Sequence, residues 1–145
     1  MKTPVQAVVA RQFDHPADRV FNAWLDTAML ARWMFGPGAR DARIVRLTLD
    51  ARVGGEFSFV VDRHGDEVDH VGEYLEIDRP RRLVFSWATR DSLSETSRVI
   101  VEVTPRGHGC ELKLTHEMGD DWAEYVEPAA GSWRKMLAAL GSALG

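Results

Sequence analysis

The 145-residue chain contains a single cysteine, no basic tract and no long apolar run. With only Cys110 present, no internal disulfide can form; this suits a reducing compartment, and a cytoplasmic location is the expectation. No apolar stretch approaches the ~20 residues that a bilayer-spanning helix needs, so no membrane partner is expected. The opening MKTPVQAVVARQF has one early lysine and then a mixed polar run, unlike a secretory signal. Lysine and arginine together number 18 against 22 acidic residues, a net charge of −4. Nucleic-acid binding therefore lacks its usual electrostatic driver and is not expected.

Motifs for metal, phosphate and nucleophilic chemistry are absent as well. His15, His64, His70, His108 and His116 are scattered, and no C-x-x-C or H-x-x-x-H spacing occurs, so neither a metal nor a cofactor is expected. Ser132 and Ser142 lack a G-x-S-x-G elbow, and Cys110 sits in a strand beside a turn. VGGE precedes a strand, whereas a phosphate cradle needs a following helix N-terminus. No repeat, low-complexity tract or linker divides the chain, so residues 1–145 read as one domain. A domain of this length buries roughly 70% of the surface its unfolded chain exposes.

Hydrophobic periodicity supplies the architecture. Val5, Ala7, Val9 and Phe13 alternate, as in a first strand. Pro16 to Leu25 reads as a short amphipathic helix through Ala17, Val20, Phe21 and Trp24, opened by a proline that a first turn tolerates. Thr27 is placed to cap a second helix with Leu30, Trp33 and Met34 on one face, stopped by Gly36 and Pro37. Six strands follow. In the first, Val45, Leu47 and Leu49 oppose Ile44, Arg46 and Thr48. Gly54–Gly55 turns the chain into a row of Phe57, Phe59 and Val61. After a turn at Gly65, a long strand ends at Pro80. Later inward rows are Leu83, Phe85 and Trp87, then Val99, Val101 and Val103, then Cys110, Leu112, Leu114 and His116. Short connections make the sheet an antiparallel meander. Trp133, Met136, Leu137, Leu140 and Leu144 form one helical face, with Pro128 kinking the helix or opening its main segment and Gly131 permitting close approach to the sheet. The acidic run EMGDDWAE favours the start of this helix. The fold class is α+β: an antiparallel sheet around a long C-terminal helix, with two short helices after the first strand.

The segments ADRVFNAWLDTAMLARW, VGGEFSF, VGEYLEIDRPRRLVFSW, LKLTHEM and GSWRKMLAAL occur in an order that resembles the helix-grip fold of the START-like, or SRPBCC, superfamily. Within it the chain is similar to bacterial members related to the activator of the heat-shock protein 90 ATPase. The resemblance spans nearly the whole chain, and it implies a cavity between the concave sheet face and the long helix that holds an apolar or aromatic small molecule. The eukaryotic co-chaperone carries a separate N-terminal domain for much of its chaperone contact. This chain has no room for one, which argues against chaperone contact.

Candidate ligand-binding residues are Trp33 and Phe35 at a cavity rim with MFGPG as a gate, Phe59, Trp87 and Trp133 as aromatic walls, Met136 on the helix, and His116. Each aromatic has an ordinary alternative as core packing. Strand parity groups His70, Gly72, Tyr74 and Glu76 against Val71, Glu73, Leu75 and Ile77. Leu75 and Ile77 draw the second set inward, placing Glu73 in the cavity, although a glycine facing the helix would reverse the parity. A His116–Glu73 pair could then act as acid and base. Three functions follow: a binder of a small apolar or aromatic ligand, a cyclase- or hydratase-like enzyme using His116 with a carboxylate, and a chaperone-interacting module. Ile44, Val60 and Ile100, left on the outer sheet face, would suit a homodimer.

Overall fold

The computed structural model describes residues 5–35 and 43–145. Its elements are β1 (Val5–Phe13), α1 (Ala17–Asn22), α2 (Thr27–Trp33), β2 (Arg43–Leu49), β3 (Glu56–Arg63), β4 (Asp66–Asp78), β5 (Arg82–Thr89), β6 (Ser97–Arg106), β7 (Gly109–Met118) and α3 (Val126–Leu144). Short 3-10 segments, Arg90–Glu95 and Asp120–Tyr125, join β5 to β6 and β7 to α3. The strands form one antiparallel sheet in the order β1-β7-β6-β5-β4-β3-β2. β2 to β7 run as the expected meander, and β1 returns to pair with β7. Helix α3 lies against β1 and α2, burying Trp133, Met136, Leu137, Leu140 and Leu144. This is the helix-grip arrangement.

Local chemistry sets the element ends. Asp26, not Thr27, is the N-cap of α2: its carboxylate accepts from the Ala28 and Met29 amides at 2.9 and 3.4 Å. An aspartate cap satisfies two donors that the first helical turn leaves open. Gly36 and Pro37, expected to stop α2, lie outside the described residues. Pro128 falls in the first turn of α3, so it opens the main helix rather than kinking it. The His64–Gly65 turn has positive φ at both residues (56° and 96°), the geometry that two-residue hairpins favour.

Two β-bulges reassign side chains. One lies between Ile44 and Arg46 on β2, so Ile44 joins Leu47 and Leu49 against the core while Val45 is 41% exposed. An extra residue inverts the alternation beyond it. Val60 and Ile100, expected as an outer dimer face, are already buried within the single chain. The row Val84–Ile100–Thr115 is flanked by ion pairs of Arg82 with Glu76 and Glu102 on one side and of Arg98 with Glu117 on the other. The stems of such long side chains shield apolar neighbours while their charged heads stay wet. Val60 and Ile100 are thus not open apolar surface, while Val8, opposite Thr115 on the same outer row, is 47% exposed.

Gly131 also departs from expectation. It is exposed on α3, and a Cβ added there would meet nothing within 4 Å among the described residues. No close approach to the sheet requires it. Gly131→Ala should therefore stabilise the protein by about 0.5–1 kcal/mol, a rise of about 1–4 °C in Tm. A thermal melt showing an unchanged or lower Tm would contradict the open surroundings.

Candidate functional site

The inward rows fill most of the space between sheet and helix. Phe57 stacks on Phe59 at 4.7 Å between centroids, Phe35 meets Phe59 edge-on at 5.5 Å, and Trp24 meets Trp33 edge-on at 4.6 Å. Trp33, Phe35, Phe59 and Met136 are all at most 3% exposed. They are packed side chains, not rim or wall residues of an open space. Met34 and Phe35 belong to this core; the rest of MFGPG lies outside the described residues. The Trp33 indole donates to the Ala23 carbonyl at 3.1 Å, whereas the buried Trp24 Nε1 has no hydrogen-bond partner among the described residues.

A cavity of about 370 Å³ opens instead at one end of the grip. Trp87, Ala88 and Thr89 from the end of β5, Ser97 from β6, and His116 and Met118 from β7 form one wall. Ser92 and Glu95 of the first 3-10 segment and Trp122 and Tyr125 of the second form the sides, and the first turns of α3 close it through Pro128, Ala129 and Ser132. Its volume lies within the ~300–1,000 Å³ usual for small-molecule sites. Of the residues expected to bind ligand, the structure brings Trp87 and His116 to this cavity, with Trp133 directly behind His116. The others lie deeper.

His116 is 8% exposed and held on both ring nitrogens. The Trp133 indole N–H donates to its Nδ1 at 3.1 Å, and its Nε2 lies 2.7 Å from Ser97 Oγ. Ser97 Oγ in turn donates to the Trp87 carbonyl at 3.0 Å. Indole is a donor only, so Nδ1 must accept. Ser97 has already committed its proton, so Nε2–H must be the donor to it. The chain of bonds therefore fixes the neutral Nε2–H tautomer. Burial pushes the imidazole down to about 4. The indole acts in the same direction, because a proton on Nδ1 would face another N–H. At neutral pH this histidine carries no charge and has no vacant nitrogen with which to take a substrate proton.

Glu73 lies on the opposite face from His116, correcting the expected acid–base pair. His70 and Tyr74 are buried, whereas Glu73 is exposed and borders an outer-face hollow with Ser58 and Ser86. The bulge between Tyr74 and Glu76 is the cause. It lets Tyr74 and Ile77 both face inward, although they are an odd number of residues apart, and turns Leu75 outward at 43% exposure. Gly72 faces the core, where a side chain would collide with the Phe57 ring. His70 packs on Trp87 at 5.3 Å, and its Nδ1 lies 3.2 Å from the Phe59 carbonyl oxygen. Cys110 is buried, which pushes its thiol up and away from the thiolate a nucleophile needs. Among the described residues, no three His, Cys, Asp or Glu side chains converge as metal ligands would, and no helix is long and apolar enough to cross a membrane.

Sequence reading missed Glu95, Ser97, Met118, Trp122 and Tyr125. Trp122 and Tyr125 carried a signal: two aromatics in an acidic connector, in ring contact at 4.8 Å, with Trp122 half-buried and Tyr125 exposed. Glu95 carried none, because irregular segments have no periodicity to mark a face, whereas Ser97, the first residue of β6, stands two residues before Val99 on the inward row.

Known structures share this arrangement. The chain is similar to the Mll3558 protein of Rhizobium loti, at 26% identity over 99% of both chains with a TM-score of 0.81. It also matches CV1439 of Chromobacterium violaceum, at 23% identity over 96% of both chains and a TM-score of 0.78. A third match, SA2116 of Staphylococcus aureus, has a TM-score of 0.84 at 13% identity, covering 99% of this chain and 94% of that one. At such identities the last two speak for the fold alone. No curated protein matches the chain. The family model for Activator of Hsp90 ATPase homolog 1-like protein matches residues 14–145, and with that span the chain belongs to this family.

Proposed function

We propose that the protein binds a small, largely apolar aromatic molecule in the cavity between the ends of β5–β7 and the start of α3. The supporting observation is the cavity itself. It presents Trp87, Trp122 and Tyr125 beside Met118, with polar side chains of Thr89, Ser92, Glu95, Ser97 and Ser132 on the same walls, and its volume suits one small ligand. Ser97 and His116 are oriented by bonds within the protein rather than left free. This favours a recognition surface over an acid–base centre. The preformed walls mean that little side-chain ordering opposes binding.

The test uses N-phenyl-1-naphthylamine, a neutral aromatic probe whose emission rises on leaving water. The wild-type protein should take up one probe per chain, with the same stoichiometry by native mass spectrometry. Ala129→Trp, which places a large ring in the cavity from an accessible helical position, should abolish uptake while leaving the fold intact by circular dichroism. No uptake by the wild type, or equal uptake by the filled variant, would refute the assignment.

A further inference from the structure

Resting on that cavity reading, we infer that the ligand is a cation: an arylalkylamine whose ammonium group sits near Glu95 while its ring lies among Trp87, Trp122 and Tyr125. The first support is the cavity lining. Glu95 is the charged residue on the described walls, and neither lysine nor arginine is among them. The second is the composition of the segments that build the walls. Residues 87–97 contain two acidic residues and one arginine, Arg90, and residues 116–132 contain five acidic residues and neither lysine nor arginine.

Arg134 and Lys135 follow Ser132 on α3 but are not among the lining residues, and the two arginines flanking the 91–97 segment are committed elsewhere. Arg90 pairs with Asp69 at 2.8 Å and Arg98 with Glu117 at 2.7 Å. His116 accepts from the Trp133 indole and so presents no positive charge. The positive end of α3 could favour an anion, but its first turn carries Glu127, and Pro128 at the cavity wall has no N–H to offer. An anionic ligand would thus meet one like charge and no counter-charge.

A cation meets three favourable terms. Glu95 supplies a counter-charge. The electron-rich faces of indole and phenol rings attract ammonium groups. The acidic connector around the mouth raises the local concentration of cations and speeds their arrival, an effect that salt weakens.

Isothermal titration calorimetry at pH 7 with three ligands of matched shape decides the point: tryptamine (cationic), tryptophol (neutral) and indole-3-propionate (anionic). Tryptamine should bind roughly tenfold more tightly than tryptophol, and indole-3-propionate should be weakest. Glu95→Gln should bring tryptamine to within about twofold of tryptophol. Raising the salt concentration should weaken tryptamine alone. Equal binding of tryptamine and tryptophol, a ratio that survives Glu95→Gln, or tightest binding of indole-3-propionate would overturn the cation assignment while leaving the cavity reading intact. Binding of none of the three would overturn it too, and the naphthylamine probe then reports separately whether the cavity takes up aromatic molecules at all.

Discussion

Acidification from pH 6.5 to pH 4 should remove roughly 3 kcal/mol of stability through His116 alone. The imidazole is held at about 4 in the folded protein, against 6.5 for a free side chain. Between those values the unfolded chain binds a proton that the folded chain refuses, so stability falls as pH falls. The contribution is complete above pH 6.5, declines through the window and levels off below pH 4. At ~1.4 kcal/mol per pKa unit, the shift corresponds to that figure. His116→Gln keeps one acceptor for Trp133 and one donor for Ser97 but cannot titrate. Urea unfolding across the pH range should therefore show the wild-type curve bending down between pH 6.5 and 4 relative to the variant. Parallel curves would mean that the imidazole is not held neutral by its surroundings. Trp133→Phe, which removes the opposing N–H, should move the His116 titration back toward its ordinary value by NMR.

Gly72→Ala should cost about 3 kcal/mol or more, the upper range for overpacking a core. A Cβ at this position would fall well inside contact distance of both the Ser86 carbonyl oxygen and the Phe57 ring. The ring could rotate, but the carbonyl belongs to the neighbouring strand β5 and could move only with it. Gly72 and Phe57 are cross-strand partners, so the aromatic ring covers the space that the glycine leaves, a known way of supporting a glycine within a sheet. Placing Gly72→Ala in a Phe57→Leu background should recover only part of the loss, since the carbonyl collision remains. Denaturant unfolding is the measurement, and a Gly72→Ala protein within 0.5 kcal/mol of the wild type would refute the packing described.

The order of elements and most inward rows were legible because period-2 and period-3.6 patterns report which side of an element is dry. Leu83–Phe85–Trp87 and Val99–Val101–Val103 followed this rule without interruption. Glu73 and Ile44 broke it, because a single bulge residue inverts parity and leaves no mark in composition. Gly72 did carry the relevant hint, since a glycine in mid-strand implies that something approaches closely. The cavity was less legible than the fold. The aromatics at regular spacing, Trp33 and Phe59, proved to be core, and Trp122 and Tyr125 lay in an irregular connector. His116 was recognisable as inward-facing, but its partners come from β6 and α3, and no spacing rule predicts a serine and an indole in place of a carboxylate.

The pairing of β1 with β7 bears on how the protein is made. Val5 lies opposite Met118 and Phe13 opposite Cys110, so β1 leaves the ribosome long before its partner exists. The meander from β2 to β6 can close on local turns as it emerges, since each strand meets the one just synthesised. β1 cannot. Its apolar row of Val5, Ala7, Val9 and Phe13 must wait without cover until β7 is complete, and α3 follows later still. For that interval the nascent chain holds an unpaired apolar strand, the kind of segment that holdase chaperones bind and that pairs with neighbouring chains when synthesis is crowded.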